Sequence, residues 1–346
     1  MRSKTRRSFV RQATAGAAVT ALGGLQACNF GWMLPDPAEP PAMPGDDPWF
    51  RISLAEWSLH RTLGTDALDN LGFITATRRD YDIDAVEYVN TFFFDQAENA
   101  DYLKAMTERC DGEGVRSLLI MCDNEGRIGD PDDAARTLAV ENHYKWVQAA
   151  AFLGCHSIRV NAASEGDWAE QSRLAADGLN RLAQYAASLE INVLVENHGG
   201  LSSNAVWLTE TIGRADHPAL GTLPDFGNFR IAAAWLTETI QRAEHPRLGT
   251  LPDFGNFRIA EGDWYDMYRG VEELMPLARA VSAKTHDFDD DGNEADKNYL
   301  QLLTSVRDAG YRGWIGIEYE GTNLPEPEGI RRSKALLERC RGELAP

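Results

Sequence analysis

Histidine is scarce in this chain, at seven residues in 346, and cysteine is scarcer, at five with no CxxC pair. That shortage leaves a zinc–thiolate site without ligands. No G-x-G-x-x-G fingerprint follows the first strand-like run, so a dinucleotide fold lacks its usual mark. Positive charge is also short: 34 Lys and Arg face 53 Asp and Glu, for a net charge of −19. Five of those cations lie in residues 1–27, which hold no acid, so 29 cations face 53 acids in the remainder. Such a surface repels phosphate backbones, and nucleic acid is not an expected partner. The longest apolar stretch near the N-terminus, Ala13 to Leu25, is too short and too rich in Ala and Gly to cross a membrane convincingly.

The N-terminus does carry an address. "TRRSFVRQA" sets Arg6 and Arg7 ahead of the Ala/Gly run and resembles a twin-arginine export signal. The run ends in "LQAC", which resembles a lipobox with Cys28 as the lipidated residue, although Gln26 is an unusual occupant. Residues 1–28 are therefore expected to direct export, to the periplasm or to a membrane-anchored state, with a lipid on Cys28 as the only membrane contact. An uncleaved, disordered basic tail is the alternative. Residues 29–48, including "LPDPAEPPAMPGDDP", form a proline-rich tether. Cys110, Cys122, Cys155 and Cys340 fall in strand-like or helical segments, where thiols act as small hydrophobes, and no disulfide is assigned.

From residue 49 to 346 strand-like runs alternate with amphipathic stretches, the pattern of a parallel sheet. The runs are "FRISLA", "IDAVEYV", "VRSLLIM", "SIRVNA", "INVLVEN", "GTLPDF", "AVSAKTHDF" and "GWIGIEYEG". Helices are expected over 131–154, 167–190 and 327–344, the first capped by Asp130 with Pro131 in its opening turn. Eight βα units over this length predict an α/β fold, a (β/α)8 TIM barrel, with an open doubly wound sheet as the runner-up. One feature is superfluous to that count. Residues 207–232 and 235–260 are a tandem repeat with a period of 28 residues, each copy a helix plus a strand. A closed eight-stranded barrel has no edge for a ninth strand, so one copy is expected to be expelled at the mouth.

Barrel enzymes keep their chemistry at the C-terminal ends of the strands. Read in order, those ends offer Trp57 and His60 after strand one, Glu87 on strand two, and Arg159 and Asn161 on strand four. Strand five gives Glu196 and His198, strand six Asp225 or Asp253, strand seven Lys284 and His286, and strand eight Glu318 and Glu320. Each has a plain structural alternative. Glu87 can close the barrel interior, Arg159 and Lys284 can form inward ion pairs, His198 can bond a loop carbonyl, and Trp57 can pack on the barrel top.

The fragments "ISLAEWSLH", "HSIRVNA", "VENHGGLSSN", "LPDFGNF", "SAKTHDFD" and "GYRGWIGIEYEG" together resemble the xylose-isomerase-like barrel superfamily, in its bacterial sugar phosphate isomerase/epimerase branch. The resemblance implies one divalent metal held by Glu196, Asp253 or Asp225, His286 and Glu318, with Asp253 favoured because its copy runs directly into the next helix. Carboxylates with one imidazole suit Mn²⁺, Mg²⁺ or Co²⁺, with Zn²⁺ a further candidate. Such an ion can polarise a sugar carbonyl and stabilise an enediolate while Glu196 and Glu318 exchange the carbon-bound proton. The weaker strand-end residues, Trp57, His60, Glu87, Arg159, Asn161, His198, Lys284 and Glu320, are then candidates for substrate contact.

The superfamily's endonuclease branch carries Asp-x-x-His after strand six. Here the run is Asp253-Phe254-Gly255-Asn256, and a three-zinc cluster lacks ligands. "DFDDDG", from Asp287 to Gly292, imitates the start of an EF-hand loop, but its twelfth position is Asn298 and a strand precedes it. The leading expectation is a metal-dependent sugar or keto-sugar isomerase or epimerase acting on a small-molecule sugar. A 3-keto-glycoside lyase and a non-catalytic carbohydrate-binding lipoprotein are the alternatives. Export argues against a phosphorylated substrate.

Overall fold

Eight parallel strands form one curled sheet in the computed structural model, a TIM barrel. The structure describes residues 48–223, 249–255, 258–260, 263–264 and 266–345. The export signal, all but the last residue of the linker, and Asp225 lie outside these residues. The strands are β1 (Arg51–Ala55), β2 (Ala85–Val89), β3 (Arg116–Met121), β4 (Ser157–Asn161), β5 (Asn192–Glu196), β6 (Leu220–Thr222), β9 (Val281–Thr285) and β10 (Trp314–Tyr319). A separate antiparallel ribbon, β7 (Arg258–Ala260) and β8 (Asp263–Trp264), lies between β6 and β9 in sequence. The order around the sheet is β6-β5-β4-β3-β2-β1-β10-β9.

Period-two alternation sorts each strand into two faces. Ile158 and Val160 of β4, Val193 and Val195 of β5, and Ile315, Ile317 and Tyr319 of β10 are fully buried in the hydrophobic core. The same core contains Trp146, Leu182 and Trp207 from the surrounding helices. The opposite parity carries Arg159, Asn161, Glu196, Ser282, Lys284 and Glu318. An apolar outer face against helices and a polar inner row are thus written into the same strands, and that inner row is where a site can form.

Helices follow most strands: α2 (Asn70–Arg79), α3 (Ala100–Glu113), α4 (Asp133–Leu153), α5 (Trp168–Ala187), α6 (Ala205–Ala215), α7 (Met267–Leu274), α8 (Tyr299–Asp308) and α9 (Glu326–Glu343), with a one-turn α1 at His60–Leu63. Side-chain caps start several of them. Asp167 accepts from the Glu170 N–H at 2.9 Å, and Asn204 from the Val206 N–H at 3.0 Å. The cap of α4 is Asp132 rather than Asp130: its Oδ1 accepts from the Ala135 N–H at 2.8 Å. Asp130 instead accepts from the Asp132 N–H at 2.9 Å, an Asx turn that carries the chain through Pro131 into the helix. All four described cysteines are buried and unpaired with one another. Among the described residues no helix is long and apolar enough to cross a membrane.

The expected expulsion of one copy falls on residues 224–248, which lie outside the described residues, while both copies contribute backbone to the wall on either side of that stretch. The first copy supplies α6 and β6, and β6 pairs with β5 through Val195↔Thr222. Described residues of the second copy also pair in the wall. Its Thr250 and Asp253 bridge in parallel to Ala278 and Ser282, with hydrogen bonds from the Ser282 N–H to the Pro252 carbonyl and from the Phe254 N–H to the Ser282 carbonyl, both 3.0 Å. The Thr222 hydroxyl donates to the Gly249 carbonyl at 2.8 Å, joining the two copies. Among the described residues, the first copy serves the β5 side of the seam and the second the β9 side.

Candidate active site

The inner row is polar where β9, β10 and the second repeat copy meet. Register sets the heights: Asp253 faces Ser282, Ser282 lies beside Gly316, and Lys284 lies beside Glu318. The Ser282 hydroxyl is 2.6 Å from Asp253 Oδ2 and 3.2 Å from Glu318 Oε2. The Gly255 N–H donates to Asp253 Oδ1 at 2.7 Å. The Lys284 ammonium stands 3.5 Å from Glu318, 3.7 Å from Glu320 and 3.8 Å from Asp253. Asp253 is 1% exposed and Lys284 4%. Below them Glu87 accepts from the Ser53 hydroxyl at 2.7 Å, and burial raises its pKa. A Cβ at position 316 would meet the Glu87 carboxylate at 2.9 Å, so Gly316 makes room for that acid.

A second polar group lies on β3, β4 and β5. Arg159 pairs with Glu196, Nε to Oε2, at 2.5 Å and donates from Nη1 to Asp123 at 2.8 Å. Asn161 donates to the same Asp123 oxygen at 2.8 Å. Burial alone would lower the Arg159 pKa, but Glu196 and Asp123 outweigh it and hold the guanidinium above its ordinary value. Burial likewise opposes ionisation of Asp123, yet Arg159 and Asn161 hold its pKa below the ordinary carboxylate range. His198 is exposed on the loop after β5.

Trp57 and His60 stack with ring centroids 4.7 Å apart and planes at 14°, and Phe92 lies 6.3 Å from Trp57. Trp57 is 38% exposed, so an aromatic ledge stands where β1 and β2 end. His286 is apart from Asp253 and Glu318. Its Nδ1 is 3.2 Å from the Lys297 ammonium and 3.9 Å from Glu294, and its Nε2 is 4.0 Å from Glu320. Partial burial, then Lys297, lowers its pKa.

The sequence profile of the xylose isomerase-like TIM barrel matches residues 78–340. The chain belongs to that family. Among solved structures it is similar to the 3-keto-D-glucoside 4-epimerase YcjR of E. coli, with a TM-score of 0.59 at 14% identity over 84% of this chain and 100% of that one. It is similar to a D-psicose 3-epimerase crystallised with D-fructose, at TM-score 0.56, 12% identity, and 86% and 100% coverage. A third neighbour is an IolI protein with a bound zinc atom, at TM-score 0.57, 11% identity, and 85% and 99% coverage. At these identities the likeness establishes the fold. No curated protein sequence matches.

The zinc in that neighbour raises the question of whether this chain's residues suit a metal. An ion bound at about 2.0–2.2 Å needs its donors nearly in contact with one another. From Ser282, the row of Asp253, to His286 is four residues, about 13 Å of extended chain. One ion could meet Asp253 and His286 only if both side chains lay along the strand. Glu196 is engaged by Arg159, and Asp253 by Ser282 and Gly255. Among the described residues no three His, Cys, Asp or Glu side chains gather closely enough to hold an ion. Asp225 lies outside those residues. The donor set Glu196, Asp253, His286 and Glu318 does not fit one metal in this arrangement.

Three participants escaped the sequence reading. Ser282 is a hydroxyl in an apolar strand, detectable by its parity with Lys284. Asp123, two residues past β3, gains meaning only from its partner Arg159. Glu294 is buried and binds Lys297 at 2.6 Å, just past the EF-hand-like run Asp287–Gly292.

Proposed function

We propose that this barrel is a sugar isomerase or epimerase acting on a keto-sugar that carries no phosphate. It is an enzyme of the isomerase class, moving a proton at a carbon next to a carbonyl. The Asp253–Ser282–Glu318 relay at the mouth carries the reading. A hydroxyl has one hydrogen to donate, and the shorter contact gives that of Ser282 to Asp253. Once Glu318 has taken a proton it can donate to the Ser282 oxygen, while Ser282 continues to donate to Asp253. The relay thus accommodates Glu318 in the state that a general base must enter. Glu196, across the barrel on β5 and fixed by Arg159, is the second proton-transfer group. Inversion needs a group on each face of the carbon; an isomerisation needs one.

The Trp57 ledge offers an apolar surface to the C–H face of a sugar ring. The similarity to a 3-keto-D-glucoside 4-epimerase and a D-psicose 3-epimerase supports a keto-sugar as the class. Asp253, Glu318 and Glu320 at one mouth oppose a phosphate dianion. Export by residues 1–28, with a lipid on Cys28, belongs to the same proposal, since unphosphorylated sugars predominate outside the cytoplasm. With Glu196 held by Arg159 and Asp253 by Ser282 and Gly255, the donor set does not suit Mn²⁺, Mg²⁺, Co²⁺ or Zn²⁺, and proton transfer rests on the side chains.

Glu318→Gln keeps the shape and removes the base. Assayed on a 3-keto-glucoside, it is expected to lower kcat roughly a hundred- to ten-thousand-fold with KM little changed. An unaltered kcat contradicts the assignment. Release of the aglycone in place of an epimer would identify β-elimination, and sugar binding without turnover would identify a binding protein.

A further inference from the structure

We propose that the Lys284 ammonium is the resident cation of this mouth, in place of a divalent ion, so that a sugar oxygen is bound and polarised without metal. The inference deepens the keto-sugar reading above and rests on it for the substrate.

Three observations carry it. The ammonium stands among three carboxylates from two separate segments: Asp253 of the second repeat copy, and Glu318 and Glu320 at the end of β10. All three separations, 3.5 to 3.8 Å, exceed the roughly 2.7–2.9 Å of a direct charge-assisted bond, so the charge is central to the three acids. The position is also built for this side chain. A Cβ on residue 255 would lie 2.8 Å from Lys284 Cδ and 2.9 Å from Cγ, so only glycine lets the lysine stem pass. The same Gly255 gives its N–H to Asp253. The second repeat copy thereby supplies both the acid that faces the ammonium and the gap that admits its stem. Finally, the β9 residue between Asp253 and Glu318 is Ser282, a neutral hydroxyl and a poor ligand, where a metal site would want an imidazole or a carboxylate.

An ion on Asp253 and Glu318 would sit beside a buried positive charge that repels it. In the reaction, Glu318 takes the proton from the carbon next to the carbonyl. The C–H electron pair becomes the new C=C bond, the carbonyl π pair moves to oxygen, and the ammonium hydrogen-bonds that oxygen. Return of the proton reverses each shift, so no oxidant or reductant is needed.

The test reads metal binding rather than turnover, so its failure is distinct from failure of the isomerase reading. Full-length protein is dialysed against chelator, its metal content measured, and its melting temperature recorded with and without Mn²⁺. Wild type is expected to retain no stoichiometric ion and to shift by about 1 °C or less at millimolar Mn²⁺. Lys284→Met keeps the stem and removes the positive charge from among the three carboxylates, so that a divalent ion can draw them together. It is expected to gain a Mn²⁺-dependent rise of roughly 5 °C or more. Lys284→Gln is made in parallel because the site is buried. Wild type that keeps one equivalent of ion, or folded variants indifferent to Mn²⁺, overturn the proposal. If neither variant folds, the wild-type metal content decides: no retained ion supports it, and one retained equivalent overturns it.

Discussion

At the scale of single residues, the barrel contains two inward acids with opposite behaviour. Asp123 faces a guanidinium and is held ionised, whereas Glu56 is fully buried against neutral donors, the Val89 N–H at 2.7 Å and the Asn70 amide at 2.8 Å. Burial pushes the Glu56 pKa up to about 8, against the lowering effect of those two bonds. The folded protein therefore holds a proton there that the unfolded chain releases above its ordinary carboxylate pKa. This contribution to stability is complete below about pH 4.5 and is lost progressively as pH rises to about 8. Glu56→Gln imitates the protonated acid, so its melting temperature is expected to overtake that of wild type between pH 5 and 8. Thermal melts across that range check it, and parallel curves for the two proteins contradict it. Ser282→Ala is the complementary change at the mouth. It breaks the relay between Asp253 and Glu318 and is expected to lower kcat about tenfold or more, with a stability loss of about 1–3 kcal/mol from leaving Asp253 short of a donor.

At the scale of elements, much was legible because alternation is a local property. The period of two in "SIRVN" and "VSAKT" assigns Arg159 and Lys284 to the inner row without any tertiary information. Register is not local. Lys284 and His286 read as equivalent strand-end residues, yet two residues of rise separate them, and only pairing with Asp253 and Glu318 shows which one reaches the acids. The repeat was opaque for the same reason: identical letters acquire different neighbours, β5 for the first copy and β9 for the second. Deleting residues 223–250, one period, joins Thr222 directly to Leu251 and leaves a single copy of the motif. One strand can then pair on both flanks, as an ordinary barrel strand does. The shortened chain is expected to fold with an equal or higher melting temperature and to keep its activity, checked by calorimetry and turnover. Failure to fold would mean that both copies are required.

For the whole molecule, charge is the physical basis of the proposed preference for an unphosphorylated sugar. A net charge of −19 and an acid-lined mouth repel anions at long range and at contact. A phosphorylated keto-sugar is expected to show kcat/KM at least roughly tenfold below its unphosphorylated counterpart, with the gap narrowing as salt rises. A preference for the phosphate ester at any ionic strength would contradict the reading of the mouth. The most direct measurement of the proposed chemistry is hydrogen exchange at carbon. A 3-keto-glucoside is incubated with the enzyme in D2O and followed by proton NMR. Deuterium is expected at the carbon beside the carbonyl, at least as fast as product forms, and Glu318→Gln is expected to abolish it. No exchange beyond the buffer rate with wild type, or undiminished exchange with Glu318→Gln, would contradict proton transfer at this mouth.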